Sequence, residues 1–592
     1  MTDILNLYGP ESDLTAVKQV RAGLLCEFAP DSPWLREAER CYRADEMLGS
    51  ADDALILAHS LVSRLLERVS GIDGLPSFTV FEEPLLEQVS YIVQAFHLDR
   101  WIAARGFSAC RFNSYSPWLD RLRQVRGVTR SKYELMADLP FGQNSWTYRS
   151  ARKLWKSRGR ASELFHRVAP LWSRYVSGRR VRKLAHGKPI GGIWFYSTAY
   201  NYTKIALEYE KYFPQKMNFL IEDSATGGKR LSELGREFRL LWAWSRASDI
   251  PSPIEVRRTA RRIEATIRDI PLANDESSMR QVLLSGDWWK QLLRRSLPFL
   301  LFHGRVLQRW CEGMAPEMLV VGNAGWERAL LRCEAADGIP SLMLQHGIMH
   351  WVYAVADQPV TRFLLRGKFF QNLLNEKLRG RTIICNYPEE HREVAEAGTG
   401  SRRDILFITT PYTVPALFHT ADLRDIVLSL LRVSQSVRRR LVIRVHPMER
   451  VSSYQKLVSE IQHESGLHAE VIYSQGPEVE TVLAGSCVAV LFFSTMFLDC
   501  LRHGIPIISF GWHWFPNKQH FEAEGIFNFA ANLCELEKLV HEGTKGELFS
   551  RRNGLEQFLA PTPADEVARM LREIWESRPG ANHAAQEAVG KH

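Results

Sequence analysis

The sequence predicts an α/β protein with two doubly wound, Rossmann-like parallel sheets facing each other across a cleft, preceded by an additional N-terminal helical and basic region. Three observations carry this. Short apolar runs alternate with helical patterns from residue 191 onward, the order that parallel βαβ units require. Several of these runs end in small, polar or imidazole groups, as at Asn323, Gln345, His446 and Ser494. Strand carboxyl ends of that kind line the ligand crevice of an open parallel sheet. Finally, 592 residues exceed what one core supports, so two or three domains are expected.

Residues 1–120 form the first α/β region, with strand-like runs at Ile4–Tyr8 and Phe78–Phe81 and helical patterns over 52–69 and 87–104. A basic, helical segment follows over 121–190. The first Rossmann-like domain spans 191–395, with strands at 191–197, 217–223, 318–323 and 341–345. Helical periodicity dominates 255–314. A Gly/Ser/charged seam near 395–404 has the texture of a linker. The second Rossmann-like domain, 396–578, reads as strand 405–410, helix 420–437, strand 441–445, helix 453–465, strands 469–473 and 487–493, a helix from about 495, and strand 505–509. Residues 579–592 read as a loose tail.

Composition narrows the class. The chain is 45% apolar and 24% charged, the balance of a globular protein. It begins with no basic-then-apolar leader, and its apolar runs are far shorter than the roughly 20 residues that span a bilayer. These features give the expectation of a cytoplasmic protein. Nine scattered cysteines, without Cys-x-x-Cys, argue against a disulfide framework or a structural zinc site. The net charge of +9 is concentrated: residues 121–190 hold 18 Lys and Arg against Glu134, Asp138 and Glu163, a balance of +15. Trp146, Trp155 and Trp172 are interleaved with those charges. This block is either a solvated helical face or a surface for anionic lipid headgroups. Nucleic acid ranks lower, because no helix-turn-helix, zinc-finger or RNA-recognition signature accompanies it.

The motif search first excludes. There is no Walker-type phosphate loop, no Gly-x-Gly-x-x-Gly after a strand and no Gly-x-Ser-x-Gly elbow. There is also no Asp-x-Asp metal clamp, so no metal or cofactor is expected. What remains is a set of strand-end groups. Gln345, His346 and Gly347 follow a strand, and an imidazole there is suited to general-base work near neutrality. His446 ends another strand, and Pro447 forces the chain out of the ladder. Ser494 and Thr495 precede a helix, where hydroxyls and free amides make an anion site. Asp499, one turn further, can accept from a ribose or sugar hydroxyl or merely complement the helix dipole.

Taken in order, these pieces resemble a known pattern. The run Gly338 to Gly347, the loop with Asp357, the run Phe363 to Gly367, the Arg-Val-His-Pro ending at Pro447, the Ser494–Thr495 pair and Gly504-Ile505-Pro506 are similar to bacterial capsule and surface-polysaccharide transferases of the Kdo-transferase type. More distantly they are similar to polysialyltransferases and teichoic-acid glycerophosphotransferases. The resemblance covers about 318–515. It implies the GT-B fold, a cytidine-activated donor such as a CMP-linked acid sugar, and a glycan or glycolipid acceptor. It further implies metal-independent, inverting transfer at the inner face of a bacterial membrane. His446, Ser494 and Thr495 would hold donor phosphate and nucleotide, with Pro447 and Asp499 beside them. His346 would take the acceptor proton, with Gln345, Gly347 and Asn323 lining the cleft. Two alternatives stand beside this reading: transfer of a polyol phosphate from a CDP donor with the same site, and, from another class, a non-catalytic, membrane-docked assembly factor.

Overall fold

The computed structural model describes residues 4–8, 24–26, 41–43, 51–72, 75, 78–105, 109–112, 122, 124–126, 171–172, 174–178, 191–197, 200–222, 228–286, 289–290, 292–322, 327–345, 360–374, 379–385, 403–409, 420–446, 449–476, 478–492, 494–510, 518–530, 533–548, 558 and 562–577. The tail from 579 and most of the basic segment 121–190 lie outside them, as does the seam from 386 to 402.

Three parallel sheets organise these residues. The first holds β1 (Ile4–Tyr8), β2 (Leu24–Cys26), β3 (Cys41–Arg43) and β4 (Ala109–Phe112), in the order β3-β2-β1-β4. The second holds β5 (Ile193–Ser197), β6 (Asn218–Ile221), β7 (Phe238–Leu240), β8 (Met318–Gly322), β9 (Ser341–Leu344), β10 (Arg362–Leu365) and β11 (Thr382–Ile384), in the order β11-β10-β9-β8-β5-β6-β7. The third holds β12 (Asp404–Ile408), β13 (Leu441–Arg444), β14 (Val471–Ser474), β15 (Ser486–Leu491), β16 (Ile507–Ser509) and β17 (Phe527–Phe529), in the order β14-β13-β12-β15-β16-β17.

Every ladder in the three sheets is parallel, so all carboxyl ends of a sheet share one edge. In each sheet the second and third strands build outward on one side of the first strand, and the fourth lies on its other side. The chain reverses direction there and a crevice opens at the carboxyl edge. The reversal falls between β5 and β8 in the second sheet and between β12 and β15 in the third. The expected pair of doubly wound α/β units, the GT-B arrangement, is therefore present.

The residues explain the layering. Strands β8, β9, β12 and β13 are buried along their whole length, as sheets covered on both faces require. Alternation then sorts β5: Trp194 and Tyr196 enter the core beneath helix Leu297–Met314, while Ile193 and Phe195 enter the core of the opposite face. That opposite face is closed by the chain's last described helix, Ala564–Glu576, which delivers Val567, Leu571, Ile574 and Trp575 to the second sheet after the third has been completed. Thr562 Oγ1 donates to the Ile384 carbonyl at 2.9 Å where this crossing begins. On the other face, Phe369 packs 4.4 Å from Phe558 and 4.8 Å from Phe521 (ring centroids), tying the chain after β10 to the third sheet's layer.

Phe78–Phe81, expected as a strand, is instead a 3-10 turn leading into helix Glu82–Ala104. Phe78 packs against Phe81 at 4.9 Å and Trp289 at 6.4 Å, so the run buries its rings at a helix entrance and pairs with no ladder. Helices Ala51–Ser70 and Glu82–Ala104 dock on the second sheet's helical layer, where Arg64 pairs with Glu276 and Arg100 with Asp275. Among the described residues no helix is long and apolar enough to cross a membrane.

Candidate functional site

The crevice of the third sheet is built by the ends of β12, β13 and β15. Beyond β12 comes Thr409, only 1% exposed. Its hydroxyl donates to Glu449 Oε2 at 2.6 Å and accepts the backbone N–H of His446 at 2.8 Å. The His446 carbonyl accepts from the Glu449 N–H and from Gln475 Nε2, both at 2.9 Å. Tyr454 donates to the other Glu449 oxygen at 3.0 Å. The backbone of His446 is thus held on both sides before any ligand arrives. The imidazole is half-buried, and burial lowers its pKa, which keeps the ring neutral near pH 7.

Arg444, one residue pair earlier, is 8% exposed and donates to Ser474 Oγ at 2.8 Å and to the Gly476 carbonyl. Gly476 has φ of 125°, a conformation that L side chains avoid. Burial lowers the pKa of the guanidinium, with Glu478 opposing. Arg444 thus leaves one positive charge beneath the carboxyl edge, next to the His446 turn.

Ser494 and Thr495 stand at the end of β15, across the reversal from Thr409. Both are half-buried. The expected side-chain cap is absent at Thr495, whose backbone is already helical at φ −58°, ψ −20°. Ser494 Oγ accepts from the Met496 N–H at a long 3.4 Å. Neither hydroxyl is therefore committed to a strong cap. Asp499 follows on helix Met496–Arg502. Burial raises its pKa, while Arg502, Arg366 and His503 pull it back. Its side chain is nevertheless 38% exposed, which describes a carboxyl crowded by protein atoms yet open to solvent on one side. Gly504, with φ of 61°, ends this helix and turns the chain into β16, as its Gly-Ile-Pro sequence suggests.

The field of Arg366 at Asp499 joins the two units, since Arg366 follows β10 of the second sheet. Gln345, expected to line the cleft, is 3% exposed. Its backbone N–H donates to the Leu364 carbonyl at 3.0 Å, and its Oε1 accepts the Arg366 N–H at 3.0 Å. Gln345 thus braces the ends of β9 and β10 and sets where Arg366 begins. His346, Gly347, Asn323 and Pro447 lie outside the described residues.

The structure accordingly brings His446, Ser494, Thr495 and Asp499 to one sheet edge. Sequence reading missed Thr409, Glu449 and Arg366. The signal for Thr409 was available, because it ends an apolar strand run as Ser494 does. Glu449 meets Thr409, and Arg366 acts on Asp499, only through tertiary packing, although Arg366 lies within the Phe363 to Gly367 run.

Fold and edge define a two-unit, doubly wound α/β protein whose second unit presents imidazole, hydroxyl and carboxyl groups at its switch point. Residues 419–518 match the family model described as capsule polysaccharide biosynthesis protein, a stretch that includes His446, Ser494, Thr495 and Asp499. No curated protein matches the chain. Among solved structures, the chain is similar to S. aureus MnaA in complex with UDP (8% identity, 65% of this chain and 96% of that one, TM-score 0.41). It is also similar to Neisseria meningitidis UDP-GlcNAc 2-epimerase bound to UDP-GlcNAc (11%, 68% and 99%, TM-score 0.38). A third is the wall teichoic acid polymerase TagF (10%, 72% and 98%, TM-score 0.34).

Proposed function

We propose that this chain transfers a sugar from a nucleotide donor to a surface-glycan acceptor such as capsule or lipopolysaccharide, without a metal and with inversion at the anomeric carbon. The observation that carries the reading is the convergence of His446, Ser494 and Thr495 at the reversal point of the third sheet, within the stretch that matches the capsule family. In this reading His346 removes the proton from an acceptor hydroxyl as that oxygen attacks the anomeric carbon. The bond from that carbon to the donor phosphate breaks, and the phosphate leaves with the electron pair. His446 and the hydroxyls of Ser494 and Thr495 take up the charge that develops on it. Preorganised donors of this kind commonly supply the largest catalytic term, and loss of one costs roughly 2.7–4 kcal/mol. Asp499 accepts from a ribose or sugar hydroxyl.

The donor is CMP-linked and of the acid-sugar, Kdo-like class; the sequence resemblance supports this choice. Domain boundaries near 190 and 396 would divide an acceptor unit from a donor unit. The basic segment 121–190 would hold the protein against anionic lipid on the inner face of the bacterial membrane, where a lipid-linked acceptor is within reach. The deciding experiment supplies CMP-Kdo, UDP-sugars and GDP-sugars with envelope glycolipid and characterises the product. A glycosidic product free of added phosphorus, its stereochemistry read by NMR, supports the reading. A phosphodiester product replaces it with polyol-phosphate transfer.

A further inference from the structure

A second set of interacting groups lies at the reversal point of the other unit. Tyr196 on β5 donates its hydroxyl to Glu222 Oε1 at 2.6 Å, just beyond the end of β6. His303 Nε2, from helix Leu297–Met314, lies 2.9 Å from the same carboxylate oxygen and 2.9 Å from the Tyr196 hydroxyl. Arg174 completes the group from a distant segment. Its guanidinium sits 4.6 Å from the Phe299 ring and 5.2 Å from the Trp242 ring, and its charge acts on Glu222. Three other segments, carrying Arg174, Tyr196 and His303, thus converge on one carboxylate.

Such a group is costly in a core. Moving an ion from water into the interior costs several kcal/mol before its partners repay it. Burial accordingly lowers the pKa of Arg174 and raises that of Tyr196. For Glu222 burial acts upward, but His303, Tyr196 and Arg174 together outweigh it, and the carboxyl stays ionised below its ordinary range. Buried titratable groups at a switch point are functional candidates.

The geometry shows which part of the carboxylate is committed. Oε1 accepts both Tyr196 and His303, whereas Oε2 takes no hydrogen bond among the described residues. The Glu222 side chain is 16% exposed, while His303 is 0% exposed. One oxygen is therefore clamped by Tyr196 and His303, and the other is left for a further donor on a side chain that keeps some exposure. Arg174 already balances the charge, so a neutral donor suits the open oxygen better than a second cation. A sugar hydroxyl is such a donor.

Strand order locates this oxygen. From Gln345 at the end of β9 the edge runs past β8 and β5 to Glu222 after β6, three strand spacings or about 14 Å. Alternation places Gln345, Tyr196 and Glu222 on the same face, the one covered by helix Leu297–Met314. We propose that Glu222 binds a hydroxyl of the acceptor glycan remote from the reacting sugar, so that the acceptor is an extended glycan laid along the carboxyl edge of the second sheet. This rests on the glycosyltransferase reading. Glu222 is a binding residue; Tyr196 and His303 are positioning residues that act through it.

The test uses the full chain, Glu222→Gln and Tyr196→Phe. Nucleotide release from a CMP- and UDP-sugar panel is measured alone and with increasing amounts of detergent-solubilised bacterial envelope glycolipid as the acceptor probe. Glu222→Gln is expected to bind nucleotide within about twofold of wild type yet need about tenfold to hundredfold more glycolipid for half-maximal stimulation, the loss of one charge-assisted hydrogen bond. Tyr196→Phe keeps the carboxylate but loosens it, and should show a smaller rise, about threefold to tenfold. Wild-type glycolipid dependence in a folded Glu222→Gln overturns the proposal, as does an unchanged Tyr196→Phe if Glu222→Gln does not fold. A wild-type chain that binds nucleotide but is not stimulated also overturns it. No nucleotide binding by wild type removes the glycosyltransferase reading first, and this proposal with it.

Discussion

The hydroxyl of Thr409 accepts the backbone N–H of His446 at 2.8 Å while donating to Glu449 at 2.6 Å. The end of β12 therefore fixes the backbone of His446 at the end of β13. Thr409→Val keeps the shape but removes the acceptor of the His446 amide and one of the donors to Glu449. It should cost about 1–3 kcal/mol of stability and weaken nucleotide binding with it. Denaturant unfolding and calorimetry on the same variant check both; a stable variant with unchanged affinity contradicts the coupling.

The neutral state of His446 has two pH consequences. Burial depresses its pKa in the folded chain, so between the depressed value and the ordinary value of about 6.5 the unfolded chain holds more protons. The stability contributed by the neutral ring is full above about 6.5 and is lost as pH falls through the folded value. A bound phosphate acts the other way, raising the imidazole pKa. Nucleotide affinity should therefore increase as pH is lowered from 8 toward 6, by up to about tenfold, with proton uptake on binding. Calorimetry in buffers of different ionisation enthalpy reads that uptake, and His446→Ala should abolish it.

Asp499 follows the opposite sign. Burial holds its pKa above the usual value, so its charge opposes folding at neutral pH despite Arg502 and Arg366. Asp499→Asn should leave the melting temperature unchanged or higher and should reduce turnover. A lower melting temperature with intact turnover would assign Asp499 a structural role instead.

Phe369 joins the two units through Phe521 and Phe558 and is 3% exposed. Phe369→Ala should cost about 3–5 kcal/mol. Because helix Ala564–Glu576 also binds the third sheet's chain to the second sheet, calorimetry should show both units destabilised together. A single unit melting early, with the other unchanged, is the contrary result.

Gly178 is a position where backbone approach decides the sequence. A Cβ there would lie 1.8 Å from the Trp242 carbonyl oxygen, which no rotamer can relieve. Gly178→Ala should lower the melting temperature and, by displacing Arg174, perturb the Glu222 group. Thermal unfolding read by tryptophan fluorescence checks the first effect.

Much of the fold was legible because parallel strands buried on both faces are continuous apolar runs. Ile405–Phe407, Leu441–Ile443 and Val488–Leu491 announce themselves, and helix Thr420–Val437 follows its periodicity to the residue. Short edge strands such as Phe238–Leu240, Thr382–Ile384 and Phe527–Phe529 did not, being three residues each with little pattern to read. Phe78–Phe81 misled because aromatic and β-branched residues are also what a helix entrance buries. In the site, residues that end strands were readable. The Glu222 group was not, because Arg174, Tyr196, Glu222 and His303 meet only through tertiary packing, and Arg174 was concealed within a basic block that reads as surface.

The central claim, that the third sheet's switch point holds a donor nucleotide, is tested most directly by isothermal calorimetry of CMP, CDP, UDP and GDP against the purified chain and its His446→Ala variant. The account predicts selective CMP binding that is lost, or weakened at least about tenfold, in the variant. No binding of any nucleotide, or binding that His446→Ala leaves unchanged, would contradict it.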